Sequence, residues 1–254
     1  MLQGEVTIAL TPLQLLGLIC VFAIARVALT LRPTPAGAVR SKTTPAAVAR
    51  EYLDAFIVAG LVALFLITFV VRTFYIPSGS MEPTLQIHDV LLVNEFEYRF
   101  HQPQHGDIVV FPPPVQSPND FIKRLIGAPG DKFRIHQGVV YRNGQALDEP
   151  YIAQKPAYEL EIKNHGIYVD GHALDVVSAN IPPPSQWQAP DRIPKGYYFM
   201  MGDNRNLSED SHIWGFAELH GKNWAQIPGG PKDLKFTGHA FILFWPLNRL
   251  RVLY

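Results

Sequence analysis

The sequence predicts a mainly β domain that is tethered to a membrane by two N-terminal helices. Two long stretches within the first 72 residues carry no charged side chain. From residue 76 onward, short runs of β-branched and aromatic residues alternate with prolines and glycines, a pattern typical of strands joined by turns. No helical periodicity is strong in that part. A chain of 254 residues is long enough for one substantial domain and membrane segments.

The first apolar stretch, Val6–Ala25, contains 20 residues without a charge. An α-helix of about 20 apolar residues crosses the hydrocarbon core of a bilayer. A cleaved signal peptide is the alternative, but it needs a basic stretch ahead of the apolar one, and here only Glu5 precedes. We therefore expect the first transmembrane helix within residues 1–25.

The second apolar stretch, Ala55–Val71, reaches the lower length limit for a membrane span and has no polar stripe. Five Lys and Arg side chains lie between the two stretches, and none precedes the first. The positive-inside rule then makes 26–54 a basic cytoplasmic linker and places both chain ends outside. The prediction is a second transmembrane helix at 55–72 and an extracytoplasmic β domain at 73–254.

Six short apolar runs predict the strands of the β domain. Asn143-Gly144 adds a two-residue hairpin turn. The polar, proline-rich segment 154–195 is interpreted as a variable insertion or long surface excursion. The predicted strands are Val90–Val93, Ile108–Phe111, Phe121–Ile126, Phe133–Tyr141, Tyr197–Met201 and Phe241–Trp245.

The composition excludes some partners and cofactors. The chain carries 22 basic and 22 acidic side chains, so its charge balance gives no reason to expect a nucleic-acid partner. Its single cysteine, Cys20, can form neither an intramolecular disulfide nor a cysteine-based metal site. We expect no metal and no other cofactor.

The segment Pro77–Leu85 contains a candidate nucleophile. Its two serines are separated by Gly79 and bounded by Pro77 and Pro83. Each proline fixes its own φ and disfavours helix in the residue before it, so a short, rigid segment should present a hydroxyl. A serine hydroxyl is a weak nucleophile at neutral pH and needs a base beside it.

Histidine is the first candidate for that base. The chain has nine histidines, but no serine stands in a Gly-x-Ser-x-Gly elbow. His101 and His105 have the spacing of a helical pair, yet Pro103 between them argues against a helix and a metal pair. A penicillin-binding type of enzyme needs Ser-x-x-Lys, which the sequence lacks.

Lysine is the second candidate. Lys123 and Arg124 are neighbours within Phe121–Ile126, so in a strand they point to opposite faces and one should lie among apolar groups. Burial lowers the pKa of a lysine amine, whereas arginine effectively stays charged. A neutral lysine is a competent general base. On these residues alone, an edge strand with both cations in solvent remains open.

A dense polar loop, Met200–Gly215, follows a predicted strand. It has hydroxyls that could orient a lysine amine, and carboxylates and an arginine that could hold the loop. By composition alone it could equally be a long hairpin turn.

Three motifs occur in one order along the chain: Pro-Ser-Gly-Ser-Met-x-Pro-Thr-Leu at 77–85, Lys-Arg-x-x-Gly-x-Pro-Gly-Asp at 123–131 and Gly-Asp-Asn-Arg-x-x-Ser-x-Asp-Ser at 202–211. Together they are highly specific. The chain resembles the bacterial type I signal peptidases, which are membrane-anchored serine proteases with a Ser-Lys dyad. The resemblance implies a mainly antiparallel β-sheet catalytic domain at a bacterial plasma membrane.

By this resemblance Ser80 is the nucleophile and Lys123 the general base. Ser78 would help form the oxyanion hole, and Ser208 would orient the Lys123 amine. His212 stands where the family usually has arginine, which puts the rigidity of the loop in doubt. Residues that match positions bracing the site are Asp203, Arg205 and Asp210.

The resemblance also implies the substrates, which are exported preproteins cut after a signal sequence with small residues before the bond. The enzyme would work with membrane lipid and the protein export machinery. A related peptidase that matures one dedicated protein and a membrane-tethered binding module without enzymatic activity are the alternatives. Five residues match those that line the shallow substrate pockets: Phe74, Ile76, Met81, Leu85 and Ile122.

Overall fold

The computed structural model describes residues 12–31, 45–69, 71–176, 178–218 and 236–253. The chain divides into two compact units, Met1–Arg72 and Thr73–Tyr254. The first unit holds two helices, and the second holds the two β-sheets.

The helices are α1, Pro12–Leu31, and α2, Pro45–Phe69. Both extend into the segment 26–54, which was expected to be a basic cytoplasmic linker. Its described ends, 26–31 and 45–54, are helical, while 32–44 lies outside the described residues, and its cytoplasmic side stays a prediction. Pro45 begins α2, in the first turn where a missing N–H costs nothing.

Contacts between the helices explain why they continue past the apolar stretches. Arg26 Nε donates to Asp54 Oδ1 at 2.7 Å, and an Arg50 guanidinium nitrogen donates to the Leu29 carbonyl at 3.0 Å. Charges that we assigned to a linker are therefore satisfied on the partner helix. The helices also approach closely at Gly60, where an added Cβ would lie 2.8 Å from Ile19.

One helix among the described residues, Leu13–Leu31, is long and apolar enough to cross a membrane by length and composition. The predicted span Val6–Ala25 begins outside the described residues. The two-helix anchor is therefore not confirmed, and the second span at 55–72 stays a prediction.

The described residues form fourteen strands and four 3₁₀ turns of three residues each. A four-residue helix α3, Ser211–Trp214, follows β11. The strands are β1 Val71–Tyr75, β2 Val90–Asn94, β3 Ile108–Phe111, β4 Phe121–Gly127, β5 Phe133–His136, β6 Val139–Arg142, β7 Gln145–Ala146, β8 Leu160–Lys163, β9 Gly166–Val169, β10 His172–Ala173, β11 Tyr197–Met201, β12 Ala217–Glu218, β13 Gly238–Trp245 and β14 Arg251–Val252.

The strands form two sheets, which confirms the mainly antiparallel β prediction. The larger sheet has the order β1-β2-β13-β3-β4-β11-β12, with β14 paired to β13, and the smaller one has the order β10-β9-β8-β5-β6-β7. Pairs from β2 to β12 and throughout the smaller sheet are antiparallel. Strand β4, which lies between β3 and β11 in the larger sheet, carries Lys123 and Arg124.

Five of the six predicted strands are found, with ends that differ by at most three residues. The run Phe133–Tyr141 is instead a hairpin of β5 and β6, because Gln137 and Gly138 take φ values of 50° and 72° and reverse the chain. The turn at Asn143-Gly144 is confirmed, with φ values of 53° and 82°.

The segment 154–195 is not a surface excursion, so that part of the interpretation is wrong, while a variable insertion stays a prediction. It contributes β8, β9 and β10 to the smaller sheet. Leu160 and Ile162 alternate with polar residues and turn inward, and Trp187 and Ile193 are also buried. These side chains pack with residues of β4, β5 and β11 in one core, so the segment completes the fold.

Candidate active site

Ser80 and Lys123 meet in the structure. Ser80 lies in a short 3₁₀ turn, Gly79–Met81, just after the extended residue Ser78. Lys123 lies near the middle of β4. Its Nζ donates to Ser80 Oγ at 2.9 Å, across 43 positions of sequence. A hydroxyl and an amine are thus held in direct contact.

The Lys123 side chain is removed from water, with 5% of its surface exposed. Burial lowers the pKa of Lys123 to about 8, although the charges of Asp210, Glu209 and Asp203 act in the opposite direction. The desolvation of the ammonium outweighs the carboxylates. At pH 7 about a tenth of this amine is therefore uncharged and able to accept a proton, against well under a hundredth for an ordinary lysine.

Arg124, on the opposite face of β4, is buried as well, with 1% of its surface exposed. The sequence predicted that one of the two cations would lie among apolar groups, and the structure buries both. Arg124 is compensated by Asp203, through Nε–Oδ1 at 2.9 Å and a second guanidinium nitrogen to Oδ2 at 2.8 Å. A third nitrogen donates to the Gly106 carbonyl at 2.8 Å.

Asn204, which was not among the predicted site residues, holds the turn that carries Ser80. Its backbone N–H donates to the Ser80 carbonyl and its Nδ2 to the Gly79 carbonyl, both at 3.1 Å. Gly202 permits this approach, because an added Cβ there would collide with the Ser80 carbonyl and with Ser208 Oγ. The sequence signal that could have identified Asn204 is its position in the polar loop after a predicted strand.

Asp210 organises the same loop from within, because it is fully buried. It accepts from the Gly202 N–H at 2.9 Å and caps α3 by accepting from the His212 N–H at 3.2 Å. His212 Nδ1 lies 2.6 Å from Asp210 Oδ1, and its ring stacks on Tyr158 with 4.4 Å between centroids. Histidine thus contacts the carboxylate that the resemblance pairs with arginine.

Arg205 forms the second buried ion pair of the loop. Its guanidinium donates two bonds to Glu149, at 2.9 and 2.6 Å, and Nε donates to the Gly202 carbonyl at 3.2 Å. Burial alone would lower the pKa of Arg205, but the hydrogen bond and charge of Glu149 raise it above its usual value. Tyr151 lies between the two ion pairs, with Arg124 at 4.0 Å and Arg205 at 5.9 Å from its ring centroid.

The two other predicted serines are placed differently. The Ser78 side chain is exposed and caps no helix. Ser208 Oγ is buried, and within the described residues it has no hydrogen-bond partner. The predicted hydrogen bond between Ser208 and the Lys123 amine is therefore not formed in this structure, although Ser208 lies beside Gly202, next to the Ser80 turn.

The five predicted pocket residues share one apolar cluster between β1, the Ser80 turn and β4. Three of them are buried in it and two are partly exposed at its edge. Ile76, Met81 and Leu85 are at most 3% exposed, whereas Phe74 and Ile122 pack against them from outside.

The site defines a class of protein: a serine hydroxyl that contacts a dehydrated amine is suited to nucleophilic catalysis with lysine as the base. Among the residues that the structure describes, no group of three or more His, Cys, Asp or Glu side chains could hold a metal ion.

Comparison with known proteins gives the family. The family described as "Signal peptidase, peptidase S26" matches residues 49–222. The chain is 40% identical over 202 residues to a "Probable signal peptidase I-2" of Synechocystis sp., covering 78% of this chain and 73% of that protein. It is 33% identical over 215 residues to a "Signal peptidase I" of Pseudomonas aeruginosa, covering 77% and 73%. A "Signal peptidase IB" of Staphylococcus aureus is 30% identical over 203 residues, covering 79% and 92%. The chain belongs to the signal peptidase family, peptidase S26, and is a peptidase.

Proposed function

We propose that this protein is a membrane-bound serine endopeptidase that removes N-terminal signal peptides from exported preproteins. The observation that supports it most is the 2.9 Å contact between Lys123 Nζ and Ser80 Oγ, with the amine buried. Proteins with similar sequences are named signal peptidases, and the substrate class is proposed from them.

In the proposed reaction, the neutral Lys123 amine takes the proton of Ser80 as Oγ attacks the scissile carbonyl. The C–N bond then breaks, and the proton passes from Lys123 to the departing amine. Water, deprotonated by Lys123 in turn, hydrolyses the acyl-enzyme and releases the signal peptide. Because the carbonyl oxygen becomes negatively charged, hydrogen-bond donors must face it, and the Ser80 N–H and Ser78 Oγ are the proposed donors.

Ser208 is proposed to orient the Lys123 amine during the reaction. Its buried Oγ has no partner among the described residues, so it is free to accept from an ammonium that forms nearby. Asp203, Arg205 and Asp210 are proposed to brace the site, since each is buried and hydrogen-bonded within the loop after β11.

Specificity for small residues before the bond is proposed to come from the apolar cluster beside Ser80. Phe74 and Ile122 form its accessible edge, while Ile76, Met81 and Leu85 fill the space behind them. A shallow, filled pocket accepts alanine and excludes larger side chains by steric overlap.

Membrane attachment is proposed through α1 and α2, with the β domain and the N-terminus on the outer side of a bacterial plasma membrane. The basic linker, 26–54, would lie on the cytoplasmic side, as the positive-inside rule requires. This arrangement brings the catalytic domain to the membrane lipid, where precursors emerge from the export machinery.

The test is cleavage of a purified preprotein by the full chain in detergent micelles, followed by N-terminal sequencing of the product. We expect one cut after a small residue, and no cleavage by Ser80→Ala or Lys123→Ala. Ser78→Ala should lose about 10²–10³-fold in rate without losing cleavage entirely. Normal processing by the Lys123→Ala protein would overturn the dyad, and absence of cleavage by the wild type across several unrelated preproteins would overturn the function.

A further inference from the structure

A cavity of about 370 Å³ with a mixed polar and apolar lining lies beside the Ser80 turn and plays no part in the mechanism above. Its lining comes from the end of that turn, from the loop after β7 and from the loop after β11, and consists of Glu82, Pro83, Gln86, Ala153, Gln154, Asn204 and Leu207. Its volume is within the range of about 300–1,000 Å³ that ligand clefts occupy.

Two of these residues connect the cavity directly to Ser80. Asn204 donates from its backbone to the Ser80 carbonyl at 3.1 Å, and its side chain donates to the Gly79 carbonyl. The Glu82 carboxylate folds back over Gly79, where an added Cβ would lie 3.1 Å from one of its oxygens. A ligand in the cavity therefore reaches the backbone that carries the nucleophile.

The cavity and the apolar cluster are separate surfaces. None of the cavity-lining residues belongs to the cluster of Ile76, Met81 and Leu85, and only the cavity has polar side chains in its lining. A peptide bound for cleavage extends from the reacting carbonyl in two directions. Since the proposed function assigns the residues before the bond to the apolar cluster, the cavity beside Glu82 and Asn204 is the candidate site for the residues after it.

Glu82 gives the cavity a negative charge. Its side chain is half-buried, and within the described residues its carboxylate forms no hydrogen bond or ion pair with the protein. Cleavage always creates a new α-amino group on the residue after the bond, whose usual pKa of about 7.7–8.0 leaves it largely protonated at neutral pH. A carboxylate beside the departing chain attracts that group and any basic side chain that follows it.

We propose that this cavity binds the first two residues of the mature protein and that Glu82 selects for basic and against acidic side chains there. The proposal rests on the proposed function, because it assigns the leaving side of the same substrate. The expected preference is modest, since a partly exposed charge pair contributes up to about 1 kcal/mol, or about fivefold in rate.

The experiment uses the full chain in detergent and three preproteins that differ in two residues after the cut, Lys-Lys, Gln-Gln or Glu-Glu. The wild type should cleave the Lys-Lys substrate about threefold to tenfold faster than Glu-Glu in kcat/KM, and 0.5 M salt should reduce this ratio. Glu82→Gln should bring the ratio close to one, and Glu82→Lys should reverse it. Asp148→Asn, an exposed carboxylate outside the cavity lining, is the matched control and should keep the wild-type ratio.

The outcomes separate this proposal from the proposed function. Equal cleavage of the three substrates by the wild type, or a ratio that Glu82→Gln and Glu82→Lys leave unchanged, would overturn the cavity's role and leave the peptidase intact. Failure of the wild type to cleave any of the three would count against the proposed function itself. A ratio that falls equally with Asp148→Asn would show that net charge, and not Glu82, sets the preference.

Discussion

The backbone N–H of Asn204 donates to the carbonyl oxygen of Ser80 at 3.1 Å, so the loop after β11 holds the candidate nucleophile by its main chain. This contact joins positions 124 apart in sequence and requires the two segments to lie almost against each other. Gly202, two residues before Asn204, lies at the closest approach.

Gly202→Ala should therefore impair activity more than stability. The added methyl must displace the Ser80 carbonyl or Ser208, which we expect to cost about 1–3 kcal/mol of unfolding free energy and at least tenfold in kcat. Gly166→Ala is the control, since its Cβ would meet its nearest neighbour at an ordinary 3.5 Å. Preprotein cleavage measures kcat, and thermal unfolding measures stability. A Gly202→Ala enzyme with wild-type kcat would contradict the close approach of Gly202 to the Ser80 carbonyl.

The pH dependence of cleavage should report Lys123. Only the neutral amine accepts the Ser80 proton, so kcat/KM should rise with pH and level off above an apparent pKa of about 8. The exposed carboxylate of Glu209 raises this pKa, so Glu209→Gln should shift the profile towards lower pH. Asp148→Asn should leave it in place. A profile that is flat from pH 6 to pH 10 would argue against lysine as the base.

Lys123 should also reduce stability near neutral pH. Its pKa is about 8 in the folded state and ordinarily 10.5, so the unfolded chain binds more protons between these values. The cost is absent above pH 10.5, grows as the pH falls and is complete below pH 8, at about 3 kcal/mol. Lys123→Met should be inactive yet at least as stable as the wild type at pH 7, by urea unfolding. A clearly less stable variant would show that the amine is not desolvated.

Replacing Ser208 by alanine should lower activity without lowering stability. A buried hydroxyl without a partner costs about 1–3 kcal/mol, and Ser208→Ala removes that cost. We expect an unchanged or higher melting temperature together with a kcat lower by about tenfold or more, if the hydroxyl positions Lys123 in the reaction. Ser208→Thr, which keeps the hydroxyl, should retain more activity. Full activity in the alanine variant would remove Ser208 from the mechanism.

The buried Glu149–Arg205 pair should contribute far more to the free energy of unfolding than the exposed Glu161–Lys163 pair. The N–O distance is 2.6 Å in each pair, but Arg205 is fully buried, whereas Lys163 and Glu161 are over 40% exposed. Glu149→Gln leaves a buried cation uncompensated and should cost about 3–5 kcal/mol in urea unfolding. Glu161→Gln should cost at most about 1 kcal/mol. Similar losses in the two variants would contradict the electrostatic explanation.

The family resemblance predicted the contact between Ser80 and Lys123, which joins positions 43 apart in sequence, and local patterns supported only its two halves. Alternation along β4 separates Lys123 from Arg124, and the prolines around Ser80 hold a short turn in place. Asn204 and Glu149 were missed because their importance depends on partners 124 and 56 positions away, which no local pattern encodes. The roles of Ser78 and Ser208 remain predictions, since neither side chain has the contact that its role requires.

The differences between prediction and structure at 26–54 and 154–195 have a common cause. Polar residues were interpreted as exposed to solvent, whereas the fold gives them partners within the protein. Arg26 and Arg50 were counted as cations of the cytoplasmic linker, yet each bonds to the neighbouring helix. The prolines and polar residues of 154–195 concealed the inward side chains Leu160, Ile162 and Trp187. Tertiary contacts outweighed the local composition in both places.

Glu149 and Tyr151 come from the loop between β7 and β8, yet Glu149 neutralises Arg205 in the loop after β11 and Tyr151 covers Arg124 on β4. The smaller sheet is thus joined to the loop after β11 by charge as well as by shape. A related protein with a shorter smaller sheet that lacks Glu149 would leave Arg205 buried without its anion. Such a protein would need another residue in place of the arginine, or a carboxylate from elsewhere in the chain. The length of the smaller sheet and the residue at position 205 should therefore change together in evolution.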